Sequence, residues 1–171
     1  AVVPGEHEAE DLVDDLALFH DGALLLPAWG TLPFEHISPN VGTMAARAEA
    51  RHRLAGAEPG TVVVASVRAA IQRVSPSRVT PVVLAAGVEV DFDGVVDELA
   101  AMGYTRTDRV EAPGEVAVRG GIIDVFPAQG DTPHRIEFWG DEVTEIRTFA
   151  TANQRARLSV RSVTAYPARE L

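Results

Sequence analysis

The chain contains no cysteine and no lysine, and only 6% of its residues are aromatic. The absence of cysteine excludes disulfides and thiol chemistry, and it fits a reducing compartment. All fifteen basic residues are arginine. A P-loop needs a lysine to reach the terminal phosphates of a nucleotide, so the chain cannot contain that motif. Schiff-base chemistry on a lysine is excluded for the same reason.

Membrane and nucleic-acid signals are also weak. No apolar run is long enough to cross a bilayer and no signal peptide opens the chain, so we expect a cytoplasmic protein without a membrane partner. The formal net charge of −10 and the isoelectric point of about 4.9 lack the basic footprint of an autonomous DNA-binding domain. The 171 residues, 46% of them hydrophobic, suffice for one domain or two small ones.

Catalytic motifs are scarce. The chain has no GxGxxG, no GxSxG and no HExxH, and its histidines are scattered, so neither a bound cofactor nor a metal site is expected. Asp91–Gly94 superficially resembles a calcium loop but lacks the further oxygen ligands, and a helix cap is the better interpretation. The acidic side chains of the second half are interpreted as surface charge: Asp124, Glu137, Asp141, Glu142 and Glu145.

Residues 1–80 alternate between apolar runs and helical patterns. The apolar residues of Glu6–His20, which are Leu12, Val13, Leu16 and Phe19, have helical spacing. Short continuous apolar runs at Ala23–Leu26 and Thr61–Ser66 are typical of buried parallel strands. Thr43–Leu54 is a second helix, for which Ser38-Pro39 offers a cap, and Val67–Val74 is a third. Such an order predicts an α/β lobe with a parallel sheet.

The pattern changes near Pro81. A β-rich run at 82–90 precedes a helix that ends at Gly103, and short strands follow at 104–110 and 158–166. Strands grouped beside one helix indicate a small α+β module with an antiparallel sheet. We therefore expect three segments: an α/β lobe (1–80), the α+β module (81–150) and a return segment toward the first lobe (151–171).

The stretch from Gly114 to Phe149 has the strongest strand signals. In His134–Trp139, alternation places Ile136 and Phe138 on one face and a row of Arg135, Glu137 and Trp139 on the other. Gly140-Asp141 fits a two-residue hairpin turn, after which Glu142 to Phe149 runs back. The register then pairs Phe138 with Val143, but Ile136 with Glu145. The outward row is either a solvated face or a protein interface, in which Arg and Trp are enriched.

The preceding run, Glu115 to Pro127, is interrupted by Gly120-Gly121. Paired glycines within a β-branched run indicate a bulge or a close approach of two backbones. Val116 and Val118 take one face and Arg119 the other. Two roles for Arg119 remain open at this point: a structural pair with Asp124 or Glu137, or a cation presented to a partner.

Several motifs, in order along the chain, resemble the UvrB-homology region near the N-terminus of bacterial transcription-repair coupling factors (Mfd). The first is LPAWGTLPFE at 26–35 with Ser38-Pro39, although Gly30 stands where the family often has Glu. The next motifs along the chain are VVVA at 62–65 followed by SVRA at 66–69, and MGYTR at 102–106. The most specific are GEVAVRGGIIDVFP at 114–127 and RIEFWGDE at 135–142.

The resemblance implies a fold and a role. The first lobe would be an incomplete, degenerate relative of a helicase motor domain that has lost nucleotide binding. The second module would correspond to UvrB domain 2, which recruits the excision-repair protein UvrA. The family's contact residues fall on Arg119, Arg135 and Trp139, and Glu137 and Glu142 flank them. The strand alternation independently places Arg135 and Trp139 on one face, and its agreement with the resemblance favours the interface over the solvated face.

The resemblance also implies further partners and the absence of catalysis in this chain. In such proteins the C-terminal domain masks the docking face until the motor engages stalled RNA polymerase, and nucleotide excision repair then begins. ATP and magnesium serve the full-length DNA translocase, and RNA polymerase and DNA contact other regions.

Two alternatives remain. The first is a UvrB-like fragment that contacts nucleic acid through a basic strip at Arg155, Arg157 and Arg161. The second and weaker alternative is an α/β enzyme that uses the carboxylates of Asp124 and Glu137.

Overall fold

The computed structural model describes residues 1–31 and 39–170, which form two compact units. The first unit contains Ala1–Val79 together with Glu170, and the second contains Thr80–Arg169. Most of the stretch interpreted from the sequence as a return segment therefore lies in the second unit, and Glu170 lies in the first.

The first unit is an α/β lobe. Its elements are β1 (Val2–Val3), α1 (Glu6–Ala17), β2 (Ala23–Leu26), α2 (Val41–Ala55), β3 (Val62–Ser66) and α3 (Val67–Ile71). The strands form a parallel sheet in the order β1-β3-β2. The parallel sheet predicted from the alternation of strand and helix patterns is confirmed, because such crossovers bring successive strands into the same direction.

Two details at the helix ends differ from the sequence expectations. The cap of α2 is Asn40, whose side chain accepts a hydrogen bond from the Gly42 amide at 2.8 Å. Ser38, the residue expected to cap this helix, lies outside the described residues. Helix α1 ends at Ala17, so Phe19 falls beyond its apolar stripe and is 90% exposed.

The second unit is an α+β module. Its elements are β4 (Val82–Ala85), α4 (Phe92–Ala101), β5 (Thr105–Arg106), β6 (Glu115–Arg119), β7 (Ile122–Val125), β8 (His134–Trp139), β9 (Glu142–Phe149), β10 (Ala156–Ser159) and β11 (Ser162–Ala165). Six strands form a sheet in the order β10-β9-β8-β7-β6-β5, which is antiparallel except for the β5–β6 pair. The predicted fold class is confirmed.

The run predicted as one strand from Leu158 to Tyr166 is in fact two strands in different sheets. β10 lies at the edge of the six-stranded sheet, while β11 pairs with β4 in a separate two-stranded sheet. The chain turns between them at Val160 and Arg161, which lets the apolar side chains of β11 become buried.

Gly120 and Gly121 form a hairpin turn, not the bulge that the sequence suggested. Arg119 pairs with Ile122 across the turn, and Gly120 has a φ of +57°, a conformation that glycine adopts without strain. The expected close backbone approach is present at Gly121. A Cβ there would lie 2.9 Å from the carbonyl oxygen of Phe138, so a side chain at this position would push β8 away.

The β8–β9 hairpin turns at Gly140-Asp141 as predicted, and Phe138 pairs with Val143. The register then shifts, because Thr144 is an extra residue in β9 and its hydroxyl donates to the Glu137 carbonyl at 3.0 Å. Ile136 consequently pairs with Ile146, and the predicted pairing with Glu145 is wrong. The bulge keeps Val143 and Ile146 on the face that carries Ile136 and Phe138.

The core of the second unit includes Ile123, Ile136 and Ile146, which are fully buried on one face of the sheet. A second buried cluster, on the side of Ala117, contains Val110, Ala117, Phe126 and Phe149. Tyr104 lies in this unit with its hydroxyl buried. That hydroxyl donates to the Tyr166 carbonyl and accepts from the Ala128 amide, both at 3.0 Å, and burial raises the pKa of Tyr104 to about 12. Within 1–31 and 39–170, no helix is long and apolar enough to cross a membrane.

Candidate docking face

One face of the six-stranded sheet carries charged and aromatic side chains. Cross-strand partners share a face, so the register places Arg119, Ile122 and Glu137 in one row across β6, β7 and β8. Trp139 and Glu142 form the next row, beside the β8–β9 turn. Neighbouring strands lie about 4.8 Å apart, so the two rows cover a surface about 14 Å wide. We call these five residues the docking face.

The face is opposite to the core residues of β8, Ile136 and Phe138, as the alternation in that strand predicted. Ile136 and Phe138 are buried, whereas Trp139 is 83% exposed. Exposure alone does not distinguish this residue, because single exposed apolar side chains are common and Phe19 is more exposed still. What distinguishes Trp139 is its place on the same sheet face as Arg119 and Glu137. Exposed tryptophans in such positions are typical anchors of protein interfaces.

Asp124 is buried just below this face, so its interpretation as surface charge was wrong, and it binds both Arg119 and Arg135. The carboxylate is 1% exposed and receives two parallel hydrogen bonds from Arg135, at 2.7 and 2.8 Å. It also accepts a bond from Arg119 at 2.6 Å. Burying a carboxylate is costly unless it is paired, and here two guanidinium groups supply the pairing.

Arg119 and Arg135 differ in how much they present to solvent. The Arg119 side chain remains 54% exposed although it contacts Asp124, so the structural role and the presented cation coexist. Arg135 is only 18% exposed, and its guanidinium also lies over the Phe149 ring, 5.1 Å from the centroid. The hydrogen bonds that Arg135 donates to Asp124 raise the pKa of Arg135, so its positive charge is held in place.

A second ion cluster occupies the neighbouring strands. Glu137 and Glu145 are directly opposite each other, and Arg147 bonds to Glu137 and lies 3.5 Å from Glu145. Arg147 was not recognised from the sequence, because only the strand register shows that it faces Arg135. Its position between the two glutamates offsets their repulsion.

These ion pairs bear on the enzyme alternative. Asp124 and Glu137, the two carboxylates considered for acid–base chemistry, are both committed to arginine partners within the chain. Each carboxylate already accepts hydrogen bonds from arginines of the same chain, which leaves less of it available to a substrate. The arrangement favours recognition over catalysis.

The basic strip considered for nucleic acid lies at the opposite edge of the sheet. Arg155 immediately precedes β10, Arg157 is within it and Arg161 follows it, and all three are exposed. They are separated from Arg119 by the width of the sheet. The strip therefore does not contribute to the docking face.

Comparison with known proteins agrees with this geometry. A family model described as the UvrB interaction domain matches residues 82–171, which covers the second unit and its sheet. It describes an interaction module and not a catalytic domain. The chain is 44% identical to the transcription-repair-coupling factor of Mycobacterium tuberculosis over 175 residues, and 30% identical to that of Escherichia coli over 173.

These alignments cover 96% and 99% of the chain but only 14% and 15% of the relatives, so the chain spans about one seventh of their length. UvrABC system protein B of Thermosipho africanus is 35% identical over 111 residues, which is 64% of the chain and 17% of that protein. The resemblance drawn from the sequence motifs is confirmed. The chain belongs to the UvrB interaction domain family, and nearly its whole length matches the UvrB-like N-terminal region of transcription-repair coupling factors.

Proposed function

We propose that this chain is a docking module that binds UvrA and so recruits it to start nucleotide excision repair where RNA polymerase has stalled. The family match supports a role in protein interaction during DNA repair. The observation that carries the finer proposal is the exposed Trp139 on the same sheet face as the half-exposed cation of Arg119. ATP, magnesium, DNA and RNA polymerase would act through other parts of the complete coupling factor.

In this proposal the residues of the face have different roles. Trp139 is the apolar anchor, and Arg119 uses the guanidinium N–H groups not bound to Asp124 to meet a carboxylate of the partner. Arg135 supports the interface indirectly. Two of its N–H groups already donate to Asp124, and they hold that carboxylate in place to bind Arg119. Glu137 and Glu142 border the anchor and would select against an acidic partner surface there.

Replacing Trp139 with alanine is expected to weaken UvrA binding by about 30-fold, or about 2 kcal/mol, the scale of an interface hot spot. Stability should change by no more than about 0.5 kcal/mol, because the ring is mostly in water. Isothermal titration of purified UvrA onto both proteins measures the effect. Leu158→Ala is the matched control, since Leu158 is 71% exposed on β10 at the far edge of the sheet. Equal losses for the two variants would refute the assignment.

We propose in addition that the C-terminal domain of the complete coupling factor covers this face in the resting state. If the face is open in fewer than about one molecule in ten, the apparent affinity of the protein for UvrA falls at least about tenfold. The chain alone should therefore bind UvrA at least about tenfold more tightly than the complete resting protein, in parallel titrations under one buffer. Equal dissociation constants would rule out masking while leaving the docking role intact.

A further inference from the structure

β10 forms one edge of the six-stranded sheet, and no strand of the described residues pairs with its other side. All four of its residues are exposed. The carbonyl of Arg155 and the amide of Val160 bond to the neighbouring chain segment, at 3.1 and 2.9 Å. Backbone groups alternate in direction along a strand, so those of the adjacent Ala156 and Ser159 point away from β9. The edge therefore offers N–H and C=O groups with which a further strand can pair.

The same edge carries the basic strip of Arg155, Arg157 and Arg161. All three are exposed, and within the part of the chain that the structure describes none of them lies within ion-pair distance of a carboxylate. Arg147 on the adjacent strand, by contrast, pairs with two glutamates. The strip is thus a local region of uncompensated positive charge on a chain whose formal net charge is −10.

This edge is distinct from the docking face. The register pairs Ala156 with Phe149, whose ring packs against Arg135 on the side of the sheet that carries Glu137. Arg157 follows Ala156 in the strand, so its side chain lies on the opposite side of the sheet. A ligand at the edge of β10 and a partner on the docking face can therefore be bound at the same time.

We propose that the free edge of β10 binds an extended acidic segment of a partner protein, which joins the sheet as an additional strand. Main-chain hydrogen bonds to Ala156 and Ser159 hold the segment, as in other cases of strand addition to a sheet edge. Carboxylates at alternate positions of the segment lie opposite Arg155 and Arg157 and select it. The site goes beyond the proposed docking of UvrA and does not depend on it.

Two other occupants of the edge fit less well. A second copy of β10 would place its own arginines against the strip, and like charges directly opposite each other on paired strands repel. The phosphate backbone of a nucleic acid donates no hydrogen bond to the outward carbonyls, and the net charge of −10 opposes its approach. A peptide strand supplies both donors and acceptors, and its carboxylates complement the arginines.

The side-chain contribution can be tested with a labelled peptide in which glutamate and valine alternate, titrated with the chain and followed by fluorescence anisotropy. Arg157→Glu is expected to weaken peptide binding by at least about tenfold, because a carboxylate then faces the carboxylates of the peptide. Arg73→Glu is the matched control, since it makes the same charge change at an exposed arginine of the first unit. Equal affinities of the two variants for the peptide would overturn the proposal.

Ala156→Pro tests the strand addition itself. Proline removes the outward N–H group and keeps the bonds to the neighbouring strand, a substitution that sheets tolerate at an edge. Peptide binding should weaken about fivefold relative to Ala156→Ser, which keeps the N–H group. Urea midpoints establish that both variants fold. Equal affinities would show that the arginines attract the peptide without strand pairing, which would overturn the proposal.

Two further measurements use the unaltered chain. Hydrogen exchange at the Ala156 and Ser159 amides should slow when the peptide is bound, and unchanged exchange would contradict strand pairing whether or not the proline variant folds. A duplex oligonucleotide titrated in parallel tests the other polyanion. If the duplex binds more tightly than the peptide, with an affinity that falls steeply with salt concentration, the ligand is a phosphate backbone and the proposal is wrong.

Discussion

Replacing Arg135 with alanine is expected to lower the free energy of unfolding of the second unit by about 3 kcal/mol, because it removes one partner of a buried ion pair. Asp124 would keep only the bond from Arg119, a side chain that is more than half exposed, while its own oxygens remain out of water. The Phe149 ring would also lose the guanidinium packed above it. Few single substitutions on this sheet should cost as much.

Urea unfolding combined with hydrogen exchange of the β7 and β8 amides would measure this effect. Arg157→Ala is the matched control, because Arg157 is exposed on β10 and should change stability by no more than about 0.5 kcal/mol. Arg135→Lys should fall between the two, since lysine keeps the charge but cannot make the paired bonds. A loss below about 1 kcal/mol for Arg135→Ala would show that Arg119 alone satisfies Asp124.

This prediction changes how a binding defect at Arg135 should be interpreted. A variant that unfolds locally loses affinity for any partner that docks on the sheet, whether or not Arg135 touches that partner. Trp139 is a better probe, because its side chain is mostly in water. A binding loss at this position reports on the interface itself.

The strands and the outward face could be predicted because they depend on local patterns. Alternation in β8 identified the core residues Ile136 and Phe138, and Gly140-Asp141 located the turn. The register beyond Phe138 could not be predicted, because nothing in the local sequence distinguishes Thr144 as the extra residue. Its hydroxyl bonds to the Glu137 carbonyl only once the strands have paired.

The ion pairs depend on contacts that local sequence patterns do not contain. Asp124 lies in an apolar run and is eleven residues from Arg135, so its burial beneath two arginines follows from three strands meeting. The sequence allowed Arg119 to pair with either Asp124 or Glu137, and local spacing could not decide between these two partners. The partner of Arg47 is 123 residues away in sequence, at Glu170, and no pattern connects them.

Replacing Glu170 with alanine is expected to destabilise the first unit by about 3 kcal/mol, since it leaves a fully buried arginine without its carboxylate. Glu170 is 4% exposed and accepts from Arg47 at 2.7 Å and from the Trp29 indole at 2.6 Å, and Arg51 lies at 3.4 Å. Arg47 would retain the Pro27 carbonyl, at 2.6 Å, as its main partner. A neutral acceptor offsets only part of the cost of burying a charge.

The chain has two tryptophans, Trp29 in the first unit and Trp139 in the second, so the unfolding of the first unit can be measured separately. In a Trp139→Phe background, Trp29 is the single tryptophan, so its fluorescence during urea unfolding follows the first unit. Glu49→Ala is the matched control, because Glu49 forms an exposed pair with Arg53 at 3.9 Å, worth no more than about 0.5 kcal/mol. Glu170→Gln, which keeps an acceptor oxygen but no charge, should be intermediate. The Arg47 guanidinium also lies over the Trp29 ring, 5.2 Å from its centroid. Equal midpoints for Glu170→Ala and Glu49→Ala would mean that this ring and the Pro27 carbonyl are enough to hold Arg47 in the core.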